Sequence, residues 1–280
     1  MPGFWWSRIR AFVRSKTFTT LFILVILVSL YSVGVNYLED KIFGKEFDFA
    51  SSVTAFFGAT LSLLMVFRTN GAYDRWWEGR KVWGALVNEC RNLAIKSRAL
   101  SAAPPAEMDE MRDWIVAFPY ILKNHLRDEG DTEERRRHGV PSQVVHSPGF
   151  VARRIFEKLG QWRKAGHIDE FAFLALDKQA KTLLDVCGAC ERIKKTPLPL
   201  SHRALIPQVL IVYLLVIPWG MPSHLGSVAL VAFLSYFLLG LELVAEGLEQ
   251  PFDEGDDDLP LNALCQGIEE SVRELSVEEL

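Results

Sequence analysis

Three groups of side chains in this sequence have types and spacings that chemistry could use. Cys187 and Cys190 form a Cys-x-x-Cys pair in "DVCGACERI". That spacing serves thiol exchange when it opens a helix after a strand. It serves zinc when a second pair or two histidines complete four ligands. Here both flanks are helix-patterned, the six histidines are scattered, and no His-Glu-x-x-His occurs, so both thiols are expected to pack. Glu242 and Glu246 stand one helical turn apart at the end of an apolar stretch. A carboxylate in lipid suggests an ion path, but at a helix exit, pairing with a basic neighbour is the expected use. Asp253–Asp258, "DEGDDD", offers closely spaced hard oxygens that suit Ca²⁺. Alternatively it is a solvated loop or the cap of the next helix. There is no glycine-rich phosphate loop and no Gly-x-Ser-x-Gly. No enzyme activity, cofactor or metal site is expected. The basic run "RRRH" is offset by adjacent acids, so nucleic acid is not an expected partner.

The elements that carry these groups are set by a segregation of charge. Thr17–Leu38, Phe49–Phe67 and Ala204–Leu241 contain no charged residue. A helix needs about 20 apolar residues to cross a hydrocarbon core roughly 30 Å thick. The first run spans once. The second spans once but is polar, with Ser51, Ser52, Thr54, Thr60 and Ser62. The third is broken by Pro218, Gly220, Pro222 and Gly226 into two spans. Four spans are therefore expected. The first run is too long for a secretory signal and lacks a small-residue cleavage site, so it is read as retained. Basic clusters precede span one (Arg8, Arg10, Arg14, Lys16), follow span two (Arg68, Arg75, Arg80, Lys81) and precede span three (Lys194, Lys195, Arg203). Basic loops stay in the cytosol, so both termini are expected there, with the chain in the cell (inner) membrane. The four cysteines then fall in cytosolic parts and are expected to be reduced. No alternation typical of strands appears. The expected fold is an all-α integral membrane protein with a helical cytosolic domain.

The second run passes without a turn into "FRTNGAYDRWWEGRKVWG", Phe67–Gly84. The helix is expected to leave the membrane and continue. Trp76, Arg80 and Trp83 share one face, as an interfacial aromatic belt would. Ala59, Leu63 and Phe67, spaced by four, share another. A ring of such apolar side chains from several subunits makes a constriction that resists ions by dewetting. Apolar packing gives the same spacing.

Two stretches resemble the bestrophin family. "FRTNGAYDRWWEGRKVWG" is similar to the passage that follows the family's second membrane helix. "VAEGLEQPFDEGDDDLPL" (Val244–Leu261) is similar to the one that ends its last span. Together with the order of spans, the resemblance covers nearly the whole chain, and the compact length looks like the bacterial branch. It implies a homopentameric ion channel with four spans per subunit and one pore on the five-fold axis, with the lipid bilayer, monovalent ions and its own copies as partners. It places the hydrophobic pore neck on Ala59, Leu63 and Phe67, where alanine departs from the larger residue expected outermost. It places the cytosolic aperture at Leu198, with Thr196 as the rival. Animal members bind Ca²⁺ near Gln250–Leu259. In this chain Gln250, Asp256 and Asp258 are the candidate cation-binding residues, but Gly255 stands where a second family aspartate belongs. Ca²⁺ gating is not expected.

Glu39, Asp40, Glu46 and Asp48 flank the outer entrance, partly offset by Lys41 and Lys45. Glu46 and Asp48 are taken as its vestibule. Five copies of a net acidic entrance favour monovalent cations. An anion (chloride) channel of the same architecture is the alternative, followed by a membrane-anchored scaffold or a secondary transporter. The expected parts are residues 1–98 (spans one and two with the extension), 99–202 (a cytosolic helical region), 203–250 (spans three and four) and 251–280 (the acidic loop and a C-terminal helix).

Overall fold

The computed structural model describes residues 6, 9, 10, 12–43, 51–222, 224–255 and 257–276, and the described residues are helical with no strand. In chain order the helices are α1 (Lys16–Leu38), α2 (Ser51–Leu100), α3 (Pro105–Leu126), α4 (Glu133–Arg137), α5 (Ser147–Ala165), α6 (Glu170–Lys195), α7 (Leu200–Val216), α8 (Leu225–Glu249) and α9 (Leu261–Glu274). A π-turn, Glu39–Phe43, extends α1, and a 3₁₀ turn, Ile217–Gly220, closes α7.

Three helical segments are long and apolar enough to cross a membrane: Lys16–Lys41, Arg203–Gly220 and Leu225–Glu249. The first half of α2 is apolar with interspersed serines and threonines. Three of its hydroxyls bond within the helix. Thr60 donates to the Phe56 carbonyl at 2.9 Å, Ser62 to Gly58 at 2.8 Å and Thr69 to Met65 at 2.9 Å. Each hydroxyl is satisfied within its own helix, which permits a serine-rich helix in a low-dielectric setting.

The chain divides into two compact units. The first comprises 1–76, 197–250 and 254–257; the second comprises 77–196, 251–253 and 258–280. In the first, α1 and α8 pack together, with Leu21 buried where Gly240 leaves room for it. Leu61 and Met65 of α2 close a core with Ile206, Leu210 and Leu214 of α7. Gly58 gives Tyr213 room at that contact: a Cβ there would lie 2.6 Å from the Tyr213 hydroxyl. Outward, α1 shows Phe22, Ile23, Ile26, Leu27 and Leu30, the composition of a lipid-facing surface.

The second unit is a bundle of helices around one apolar core. Its core takes Trp83, Leu86, Cys90 and Leu93 from α2, Ile115, Phe118 and Leu122 from α3, Ile155, Leu159 and Trp162 from α5, Leu176 and Leu183 from α6, and Leu261, Cys265 and Ile268 from α9. Its helices carry their own start and stop signals. The Asp169 carboxylate caps α6 at Ala172 N–H (2.7 Å), and Gly166, at φ 77°, ends α5 in the left-handed conformation. Trp83 corrects the aromatic-belt expectation. It is fully buried in this core, so its size fills a bundle interior and does not mark an interface.

Candidate functional site

Helix α2 does not end where its charges begin. It runs unbroken for 50 residues, about 75 Å at 1.5 Å per residue. Residues 51–76 belong to the first unit and 77–100 to the second. Within the first unit its two faces differ. Leu61, Met65, Arg68 and Ala72 are buried against the chain's own helices. Ala59, Leu63 and Phe67 lie exposed, Leu63 at 56% and Phe67 at 59%. A single chain thus leaves a row of apolar side chains without cover on a helix that is otherwise anchored.

The anchor is ionic. Arg68 is 3% exposed. Its Nε sits 2.9 and 2.8 Å from the two carboxylate oxygens of Glu242, and Nη1 lies 3.6 Å from Glu249. Arg203 reaches Glu249 from α7 at 3.0 Å, and Arg75 Nε donates to the Glu249 carbonyl at 3.0 Å. Glu249 itself is 1% exposed. Glu242 is thus ion-paired, as its place at a helix exit implies. The partner lies 174 positions away, a distance at which no local spacing rule operates.

The other sequence-derived positions separate. Leu198 is half-buried, its methyl groups in contact range of Gly71, at 3.7 and 3.8 Å from an added Cβ. Thr196 is exposed at the C-cap of α6. Glu46 and Asp48 lie outside the described residues, as does Asp256. Of the remaining outer charges, Glu39 is 2% exposed and Asp40 pairs with Lys41 at 3.1 Å. Of the acids counted at the entrance, Glu39 is therefore buried, while Asp40 pairs with a lysine already counted against it.

The acidic loop is tied down within each unit. In the first, Gln250 ends α8 and Trp76 Nε1 donates to the Asp257 carbonyl at 3.0 Å. In the second, Arg127 donates to the carbonyls of Phe252 and Asp253, both at 3.1 Å, and Leu259 N–H closes onto Pro251 at 2.9 Å. A guanidinium thus holds two backbone oxygens of the loop.

All four cysteines are free and buried. Burial pushes the Cys187 thiol up to about 12, and Cys190 upward as well, so both are protonated and poorly nucleophilic at neutral pH. The histidines are less scattered in space than in sequence. His125 and His146 converge on Glu191 beside Cys187.

The comparisons with known proteins agree with this architecture. The family model described as bacterial/fungal bestrophin protein matches residues 2–274. A protein of Mesorhizobium japonicum named as voltage-dependent anion channel-forming is 35% identical over 78% of this chain and 72% of its own length. A protein of Nostoc sp. with the same descriptive name is 30% identical over 97% of this chain and 92% of its own. The crystal structure of a bacterial bestrophin homologue from Klebsiella pneumoniae superposes with a TM-score of 0.82 at 23% identity, covering 92% of this chain and 99% of that one. With a family match over nearly every residue and the same all-helical fold, this chain belongs to the bacterial and fungal bestrophin family.

Proposed function

We propose that this chain is one subunit of a homopentameric channel that conducts small monovalent anions across the cell inner membrane, with both termini in the cytosol. The observation that carries the reading is the uncovered row Ala59, Leu63 and Phe67 on a helix whose opposite face is locked by Arg68. Symmetry-related copies of that row would enclose a hydrophobic neck, where a narrow apolar ring holds back water and ions until it is wetted. Span two would then be the pore helix and the fourth membrane crossing. Leu198 or Thr196 would form the cytosolic aperture.

The preference for anions replaces the cation preference drawn from the outer acids. Relatives that align over most of the chain are named as anion channel-forming. The acidic count also weakens once Glu39 is buried. The channel is proposed to open without Ca²⁺, because Arg127 already holds two loop carbonyls.

The test is planar-bilayer recording of the purified protein under a KCl gradient. A reversal potential near the chloride equilibrium value supports the reading. One near the potassium value restores the cation reading. The absence of any current from reconstituted protein overturns the channel itself.

A further inference from the structure

Three ligand-bearing side chains meet in the second unit at a place the proposed pore does not use. His125 lies in the last turn of α3, His146 is the N-cap of α5, and Glu191 sits late in α6. His125 Nε2 is 2.6 Å from Glu191 Oε1, and His146 Nε2 is 3.2 Å from the same oxygen. The imidazole rings are 5.1 Å apart and inclined by 64°. One ligand atom from each residue falls within 4.8 Å of the other two. Cys187, one turn before Glu191, places Sγ 3.9 Å from His146 Nε2. We infer that His125, His146 and Glu191 form a site for a divalent transition metal of the zinc class, with two imidazole nitrogens and one carboxylate oxygen as protein ligands.

The distances suit a small ion. Tetrahedral zinc with nitrogen and oxygen ligands about 2.0–2.1 Å away separates those ligands by about 3.3 Å. The His146–Glu191 spacing already matches. The His125–Glu191 spacing is that of a hydrogen bond, and an ion replacing the shared proton widens it. Imidazole nitrogens select zinc and its neighbours over Mg²⁺ and Ca²⁺, which take oxygen. Three protein ligands leave a fourth position for water, with the Cys187 sulfur beside it. His146 is half exposed, so ions reach the site from solvent.

Two groups oppose binding, and both yield. Lys195 lies 3.6 Å from the other Glu191 oxygen, Oε2, but is 68% exposed and free to swing outward. His146 Nδ1 accepts the Gly149 N–H at 3.0 Å, so in the metal-free state its proton sits on Nε2, toward Glu191. Metal binding at Nε2 moves that proton to Nδ1 and releases the cap, which is a small loss beside coordination by three ligands. The bound ion would cross-link α3, α5 and α6.

Purified full-length protein in detergent, stripped with a chelator, is titrated with Co²⁺ as a spectroscopic probe and then with Zn²⁺. The expected result is saturable binding of one ion per chain, tetrahedral Co²⁺ absorption displaced by Zn²⁺, and a thermal midpoint that rises with Zn²⁺. His125→Gln keeps a donor toward Glu191, and His146→Asn keeps a helix cap, so each variant folds without its ligand. Each is expected to bind more than roughly 100-fold more weakly, beyond the usual cost of losing an outer-shell partner, and to lose the Zn²⁺-dependent rise in midpoint. Failure of the wild type to bind saturably, or wild-type affinity in both variants, overturns the site.

Discussion

The Arg68 guanidinium grips both carboxylate oxygens of Glu242, with Nε 2.9 and 2.8 Å from them, at a point where Arg68 is almost wholly buried. This pair fixes the rotation of α2 against α8, and so decides which face of α2 is left bare. Breaking one side of a buried pair strands a charge and costs about 3–5 kcal/mol, whereas replacing both partners by apolar groups is often neutral. Arg68→Met is therefore expected to lower the thermal midpoint in detergent sharply. The Arg68→Met, Glu242→Met double variant should recover most of the loss, with Arg203 still holding Glu249. An undiminished loss in the double variant would mean that Arg68 acts chiefly through Glu249.

Leu63 and Phe67 are exposed in the single chain, so truncating them removes little intrachain packing. Leu63→Ala and Phe67→Ala are expected to leave the melting midpoint close to wild type while raising single-channel conductance or altering ion selectivity, because less apolar surface lines the neck. Bilayer recording of both variants checks this. Unchanged currents in each would remove the neck assignment.

Ca²⁺ is expected to leave open probability unchanged between chelator and millimolar levels, because two loop carbonyls are bonded to Arg127. Arg127→Gln frees them and gives the loop its best chance of binding the ion. A saturable Ca²⁺ response in the wild type would show that the ion displaces the guanidinium.

Gly79 is closely packed by the side chains of the acidic loop. An added Cβ would meet Phe252 at 3.2 Å, Pro251 at 3.3 Å and Leu259 at 3.4 Å, the shoulders of the acidic loop. Gly79→Val is expected to destabilise the second unit by about 1–3 kcal/mol through overpacking, read as a fall in thermal midpoint. Gly84 makes a useful control, since its nearest neighbour is the flexible Arg80 side chain at 3.5 Å.

The hydrogen bond from Lys158, at 2.5 Å, holds the Glu110 carboxyl below its ordinary value of 4.5, with the Lys158 charge adding to it against the cost of burial. A depressed carboxylate contributes stability above its unfolded value and loses it as pH falls through the folded one. Glu110 is half exposed, so the contribution is modest, about 1 kcal/mol or less. Glu110→Gln is expected to melt slightly below wild type at pH 7. The gap should close as pH drops below 4.5. A constant gap across that range would assign the effect to packing.

Much of this molecule could be read before any coordinate. Long uncharged runs can only be buried in lipid or protein, and three of the four spans expected from composition stand among the described residues as membrane-length helices. The continuation of α2 past Phe67 followed from the absence of a proline, and it overrides the turn-prone pair Asn70-Gly71. The caps at Asp169 and Gly166 obey rules of local chemistry. The row Ala59, Leu63 and Phe67 was legible because helical spacing places every fourth residue on one side. Only the tertiary structure decided which side of α2 is covered. That depends on Arg68 meeting Glu242 and on Tyr213 passing over Gly58, contacts between residues more than 150 positions apart. The same holds for Trp83, which periodicity assigned to an interface and packing buried, and for Glu39, which sequence counted at an entrance. His125, His146 and Glu191 carry no spacing signal, because their nearness is created by three helices folding together. Local physics sets where a helix starts, stops and turns its oily side; long-range contacts decide what that side meets.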